Sequence, residues 1–427
     1  MALSAEGVGE SALPDAGSRR VEHYANSQGA GHARAKEVVN IWRCSFVVTI
    51  DSPICRRVRG SRSAYKALMP KQRLLLYTHG LVGGGGERVW ALIASGLSRR
   101  GHEVAFAVDF VAPENEQLIA PEIRRFTLGQ SHVAAVSALA KLLKADLPDV
   151  AFAAIGASNL KLLAAKALAG WPGAAVVSAH GRFDAESRLL GRANYAATIL
   201  TSRLAARTVV VSDDLRRYLI DRFHADARRV VTIHNGIALP PLAMVPDAPS
   251  LAERANVVLG VGRLVPEKGF DTLVRAFAKS KLGQRLILLG EGPERPRLEA
   301  LIGELDLSQR VEMPGYVPDL APVYALGKML ALASRSEAFG NVLVEALGHG
   351  LPVVATACGG PREVLANGQH GQLVPIDDVD ALAGAIDQTL ADPGDPARHR
   401  ARAEDFSLDH ALDRFEQLIE DVFKERH

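Results

Sequence analysis

Residues 74–110 read LLLYTHGLVGGGGERVWALIASGLSRRGHEVAFAVDF. The opening run is short and apolar and stops at His79 and Gly80, which predicts a buried strand. Gly83, Gly84, Gly85 and Gly86 then make a turn, ERVWALIASGLSRRG carries helical spacing, and HEVAFAVDF reads as a second strand. Strand, crossover helix and strand form a βαβ unit, so the fold class is α/β with a parallel, doubly wound sheet. Further apolar strands at VAFAAIG, AAVVSAHG, TVVVS and VVTIHNG extend this pattern, and a Rossmann-like domain is expected over residues 71–238. ALPPLAMVPDAPS at 238–250 breaks both periodicities, which places a linker over residues 239–255.

NVVLGVGR, RLILLGEG, VEMPGY, MLALAS, LPVVAT and QLVPI again alternate with helical stretches, so a second Rossmann-like domain is expected over residues 256–400. Leu408, Ala411, Leu412, Phe415, Leu418, Ile419 and Val422 recur at three- and four-residue steps. They predict a C-terminal amphipathic helix over residues 401–427 docked on another part of the molecule. Two such domains face a cleft, and ligands are expected at the carboxyl ends of the strands that open onto it.

A length of 427 residues exceeds one ordinary core and suits two domains of roughly 150–200 residues. The formal net charge of +2 argues against nucleic acid as a partner, because nucleic-acid binders usually carry a strong basic excess. Cys44, Cys55 and Cys358 are odd in number and lack metal-ligand spacing, so they read as reduced thiols and suggest no zinc site. No apolar run approaches the roughly 18–20 residues of a membrane span. The first residues lack the order of a secretory signal, and a cytoplasmic location is expected.

Residues 1–70 show no sustained period and read as a poorly ordered extension. Ser52 to Arg73 holds seven basic residues and no acidic one. A start at Met69 would leave the proposed fold intact; alternatively, Arg56, Arg57, Arg59 and Arg62 form a basic arm attracted to an anionic membrane. Residues 182–207 mix five arginines with leucines and isoleucine. This segment can lie on an anionic membrane surface, or pack on the sheet with its arginines solvated.

Chemistry concentrates in SEAFGNVLVEALGHGLPVVAT, which begins at Ser336. Were the interval helical throughout, Glu337 and Glu345 would lie about 12 Å apart along the axis and about 80° apart around it. That separation suits an elongated ligand gripped at two points rather than a shared metal or proton. Ser336, Gly340 and Asn341 read as a helix start whose free N–H groups can meet a phosphate. In VGRLVPEKGF, Arg263 ends a strand and Lys268 precedes a glycine and a helix. These cations suit a diphosphate leaving group whose negative charge grows during reaction. His180 ends AAVVSAHG, and Gly84 and Gly85 let backbone approach a phosphate or an acceptor. Asp213 and Asp214 read as a helix N-cap and first-turn acid, and no metal site is expected.

The motifs GR…PEKG, GEGPER, GY…D, SEAFGNVLVEAL and CGGPREV, in this order, resemble those of the retaining glycosyltransferases of the GT-B fold, family four (glycosyl transferases group 1). The resemblance runs over about residues 74–424 and leaves 1–70 unmatched. It implies that the C-terminal helix packs back toward the first domain, that the first domain binds an acceptor and that the second binds a nucleotide-diphosphate sugar, UDP- or GDP-linked, as donor substrate with no resident cofactor. Glu345 would accept hydrogen bonds from the ribose hydroxyls, and Glu337 would contact the donor sugar near its 3-hydroxyl. The backbone of Ala338, Phe339 and Gly340 would lie beside the sugar, and Asn341, Val342 and Leu343 would offer N–H groups to the diphosphate. Tyr316 and Val317 would seat the base. The His180 carbonyl would stabilise the developing oxocarbenium charge, and Gly359, Gly360 and Glu363 would form a wall beneath the sugar.

The implied reaction is metal-independent hexosyl transfer with retention to a glycan or lipid-linked acceptor, in bacterial surface polysaccharide or lipopolysaccharide synthesis. His180, Arg263, Lys268 and Glu337 would be its catalytic residues. A lipid-linked acceptor would bring the protein into peripheral contact with the inner membrane. Two other classes remain beside it: a sugar-nucleotide epimerase on similar lobes and a non-catalytic nucleotide-sugar-binding protein. Product analysis with and without acceptor, and turnover of donor to free nucleoside diphosphate, would separate them.

Overall fold

The computed structural model describes residues 71–426 apart from 83, 113, 155 and 182–197. The readings placed on residues 1–70, on Gly83 and on most of the basic segment 182–207 lie outside the described residues. Of that segment, Thr198–Leu204 is helical.

Seven parallel strands form the first sheet: β1 (Arg73–Thr78), β2 (Glu103–Val108), β3 (Arg124–Thr127), β4 (Val150–Ala154), β5 (Ala174–Ala179), β6 (Arg207–Val210) and β7 (Val230–Thr232). Their order is β3-β2-β1-β4-β5-β6-β7. Leu76 pairs with Phe106 on one side and Phe152 on the other, and these residues share one face with Leu74, Val104 and Val150. Leu75, Tyr77, Ala105, Ala107, Ala151 and Ala153 line the opposite face. Both alternating sets are buried because helices cover both faces, and this is why β1 and β4 read as continuous apolar runs. The edge strand β3, RRFT, is mostly exposed and carries no such run, so the sequence analysis missed it.

The second sheet has six parallel strands: β8 (Val257–Val261), β9 (Arg285–Leu289), β10 (Val311–Gly315), β11 (Met329–Leu332), β12 (Val353–Thr356) and β13 (Gln372–Val374), in the order β10-β9-β8-β11-β12-β13. All six lie where apolar runs predict them. Between the sheets, Asp247 caps a short helix, Ala248–Glu253, that buries Leu251. The end of the expected linker is therefore structured.

The C-terminal helix starts at Leu408, after a separate helix, Pro396–Glu404, rather than at 401. Its buried face joins the core of the first domain: the Phe415 ring lies 5.6 Å from Trp90 and 5.9 Å from Phe152. Arg100 fixes the polar side through Asp413 at 2.7 Å, Glu416 at 2.9 Å and Asp409 at 3.0 Å. The two chain crossings also pair, Ile237 N–H donating to Phe406 O at 3.0 Å and Leu408 N–H to Ile237 O at 2.9 Å.

Candidate active site

Each sheet reverses strand order once, between β1 and β4 and between β8 and β11. Such reversals open crevices at the carboxyl ends of the strands. After β8 the loop carries exposed Arg263 and then a 3-10 turn, Pro266–Lys268. Gly269 has φ +62°, and a Cβ there would lie 2.1 Å from the Ala333 carbonyl oxygen. A glycine lets this loop lie against the end of β11. As a result Lys268 meets Glu337, its Nζ donating to Oε2, with both side chains mostly buried. The sequence pointed to each residue separately and gave no sign of this contact. Across the cleft, burial raises the Glu87 carboxyl pKa, opposed by a backbone hydrogen bond and by the charge of Arg263.

Residues 333–340 are not helical, so the helical separation estimated for Glu337 and Glu345 does not apply. The helix is Asn341–Gly348 with Gly340 at φ +95° as its N-cap, so two of the three residues read as its start stand there and Ser336 lies before it. Asn341 and Val342 supply first-turn N–H groups, which have no acceptor one turn back within a helix. Leu343 departs from its expected role because its N–H donates to Gly340 O at 2.9 Å. The Asn341 side chain donates from Nδ2 to Gly85 O at 3.3 Å and accepts from Asn235 Nδ2 at 2.8 Å. It thus ties the glycine loop, where Gly84 caps the helix Gly85–Arg99, to the start of the second-domain helix. Asn235 was missed; its only signal was its place in VVTIHNG at a strand end.

Glu345 accepts a 2.9 Å hydrogen bond from the Tyr324 hydroxyl. Burial, reinforced by this carboxylate, pushes the Tyr324 phenol well above its ordinary pKa. The pair borders a cavity of about 240 Å³ that also touches Arg88, Asn341, His349 and the crossing segment at 236–241. Tyr316, just past β10, is 51% exposed, whereas Val317 packs partly against the core. Ala338 is half-buried, and Phe339 is buried with its ring stacked on His234 at 5.6 Å. The Phe339 side chain therefore anchors this segment.

His180 follows β5, and its Nε2 accepts from the Trp90 indole N–H at 3.1 Å. Burial lowers its pKa to about 4, which keeps the ring neutral near pH 7. Since Trp90 can only donate, the neutral ring carries its proton on Nδ1. Nδ1 is buried without a partner among the described residues.

One expectation here requires correction. Ser212, not Asp213, caps the helix Asp213–Phe223, through Leu215 N–H at 3.2 Å. Glu363 accepts from Asp213 N–H at 2.8 Å and hydrogen-bonds the His234 ring, joining the two domains. A carboxylate at a helix N-terminus is favoured by the dipole there. Among the described residues, no group of three His, Cys, Asp or Glu side chains could hold a metal ion, and no helix is long and apolar enough to cross a membrane.

Comparison with known proteins places the same residues in a family context. The family model described as Glycosyltransferase Family 4 matches residues 83–239, and that described as Glycosyl transferases group 1 matches residues 246–406. The chain is 36% identical over 170 residues to the lipopolysaccharide core biosynthesis glycosyltransferase LpsE of Rhizobium meliloti, covering 39% of this chain and 50% of that protein. It is 35% identical over 227 residues to the D-inositol 3-phosphate glycosyltransferase of Mycobacterium avium, covering 49% of this chain and 53% of that protein. It spans about half the length of these curated relatives. The crystal structure of Anabaena Alr3699/HepE in complex with UDP superimposes with a TM-score of 0.70 at 21% identity, covering 82% of this chain and all of that one, and shows the same fold.

Proposed function

Because the chain belongs to the GT-B glycosyltransferases of family four (glycosyl transferases group 1), we propose that it transfers a hexosyl unit from a nucleotide-diphosphate sugar to a glycan or lipid-linked saccharide, with retention and without a metal or resident cofactor. One observation carries this reading: the Lys268–Glu337 pair stands at the strand-order reversal of the second sheet, beside the N-terminus of the helix that also bears Glu345. A diphosphate placed at that N-terminus would receive the N–H groups of Asn341 and Val342 and the charges of Arg263 and Lys268. Those charges act most strongly as the sugar–phosphate bond breaks and negative charge moves onto the leaving group.

Glu345 would then accept from the ribose hydroxyls, with Tyr316 and Val317 at the base. Glu337 would hold the sugar, with the backbone of Ala338, Phe339 and Gly340 beside it, and His180 would lie at its reacting side. The acceptor oxygen attacks the anomeric carbon from the face that the phosphate leaves, and the leaving phosphate takes the acceptor proton. LpsE by its name acts in lipopolysaccharide core synthesis, and HepE was crystallised with UDP. The first favours a bacterial surface saccharide as acceptor, the second a UDP-hexose as donor. Such chemistry draws on the cytoplasmic sugar-nucleotide pool and fits peripheral work at the inner membrane face.

A thermal-shift screen against UDP-, GDP- and ADP-hexoses tests the donor, since a ligand that binds the folded state raises its melting temperature. Release of nucleoside diphosphate with an α-linked product from an α-linked donor, undiminished by EDTA, is expected. Inversion, a strict metal requirement, or an epimerised sugar nucleotide as the only product would refute the reading.

A further inference from the structure

Asp109 is fully buried at the end of β2, and three side chains converge on it. Tyr77 donates to its Oδ1 at 2.8 Å, buried Lys161 donates to Oδ2, and His79 Nδ1 lies 2.5 Å from Oδ2. Tyr77 and His79 come from β1 and the loop after it, and Lys161 from the helix Ala157–Ala169 that follows β4. The group therefore straddles the strand-order reversal of the first sheet, across the cleft from the site described above. It lies apart from the residues that would hold the donor.

A buried ion pair is weak evidence of a stabilising role, because desolvation offsets most of the attraction. Here Asp109 and Lys161 alone would satisfy each other. The addition of His79, whose side chain is 50% exposed, calls for a reason beyond packing. A carboxylate that accepts from Nδ1–H fixes both the tautomer and the orientation of an imidazole. In the neutral ring the opposite nitrogen, Nε2, is then a bare acceptor directed away from Asp109. Phe110 holds the ring edge-on at 5.0 Å. The same loop runs on to Gly85, which Asn341 bonds.

We propose that His79, held by Asp109 and Lys161, binds the acceptor: its Nε2 accepts the hydrogen bond of an acceptor hydroxyl and orients that oxygen toward the donor sugar. The ligand class is a polyhydroxylated saccharide or polyol, because Nε2 without a proton selects a donor group and repels a phosphate oxygen. Asp109 and Lys161 are positioning residues. The inference rests on the glycosyltransferase reading given above.

Two measurements on the full chain test it. In ¹⁵N-histidine-labelled protein at pH 8, two-bond ¹⁵N–¹H correlations are expected to show His79 protonated on Nδ1 and bare at Nε2; the Nε2–H tautomer would overturn the proposal even if no acceptor had been found. For the octyl glycoside or inositol phosphate that the unmodified chain glycosylates best, His79→Ala is expected to lower kcat/KM for that acceptor by about 10²-fold, as misplacement of a reacting group does. His79→Gln, whose amide oxygen can still accept, should recover part of the loss. The UDP dissociation constant should not move. Unchanged transfer, or loss of UDP affinity in parallel, would refute the assignment. A wild-type chain that binds and turns over no sugar nucleotide would instead refute the glycosyltransferase reading, leaving the tautomer to decide the geometry of His79.

Discussion

Glu345 serves two partners, the Tyr324 hydroxyl and, in the proposed reading, the ribose. Glu345→Gln keeps an acceptor for Tyr324 while removing the charge, so the melting temperature should hold while donor affinity falls by about 1.5–3 kcal/mol, the usual worth of a charge-assisted hydrogen bond. Calorimetry with UDP and with the sugar nucleotide checks this, and unchanged affinity would remove Glu345 from the ribose. Arg263→Ala and Lys268→Ala should depress kcat more than donor binding, because their charges matter most in the transition state. A change confined to KM would contradict that role. His180 has its pKa lowered from 6.5 to about 4, so between these values the unfolded chain binds more protons than the folded one. Its contribution to stability is fully present above about pH 6.5 and is lost as pH falls toward 4. His180→Gln, whose amide oxygen can still accept from Trp90, should flatten the slope of melting temperature against pH in that window.

At the scale of elements, the loop from β8 to the helix Phe270–Lys279 depends on Gly269. A Cβ there meets the Ala333 carbonyl at 2.1 Å, and the left-handed φ adds about 1–2 kcal/mol of strain. Gly269→Ala should therefore lower the urea midpoint and, by moving Lys268 from Glu337, lower turnover as well. An equally stable and active variant would show that the loop has another solution. The helix Asn341–Gly348 illustrates how an element can be read correctly and a detail not: the apolar run in NVLVEALG announced it and Gly340 stands at its start as read, but the Leu343 N–H bonds within the first turn.

Across the whole molecule, the last helix belongs to the core of the first domain. Phe415→Ala removes the ring packed between Trp90 and Phe152 and should cost about 3–5 kcal/mol of stability. Denaturant unfolding followed by Trp90-region fluorescence is expected to show the first domain losing stability, although the substitution lies near the other end of the chain. Loss confined to the second domain would contradict this docking. Glu363, bound to the N-terminus of the helix Asp213–Phe223, and Asn341, bound to Gly85, hold the two sheets across the cleft in the same way.

The sequence by itself determined the two parallel sheets, since strands covered on both faces must be apolar throughout, as in LLLYT of β1 and MLAL of β11. It also put Arg263 and Lys268 on the turn after a strand and Glu345 on a short helix, because turns and helix starts are built from neighbouring residues. The exposed strand β3 stayed hidden for want of an apolar face. Only the tertiary structure decided that Lys268 meets Glu337, that Asn341 bonds Gly85, and that Glu363 binds across to Asp213, contacts between positions 69, 256 and 150 residues apart. Periodicity and turn chemistry act over a few residues, whereas these partners are chosen by which distant strands lie side by side in one sheet, as for Lys268 and Glu337, and by how the two sheets close on one another, as for the other two, a choice that the local sequence of neither partner records.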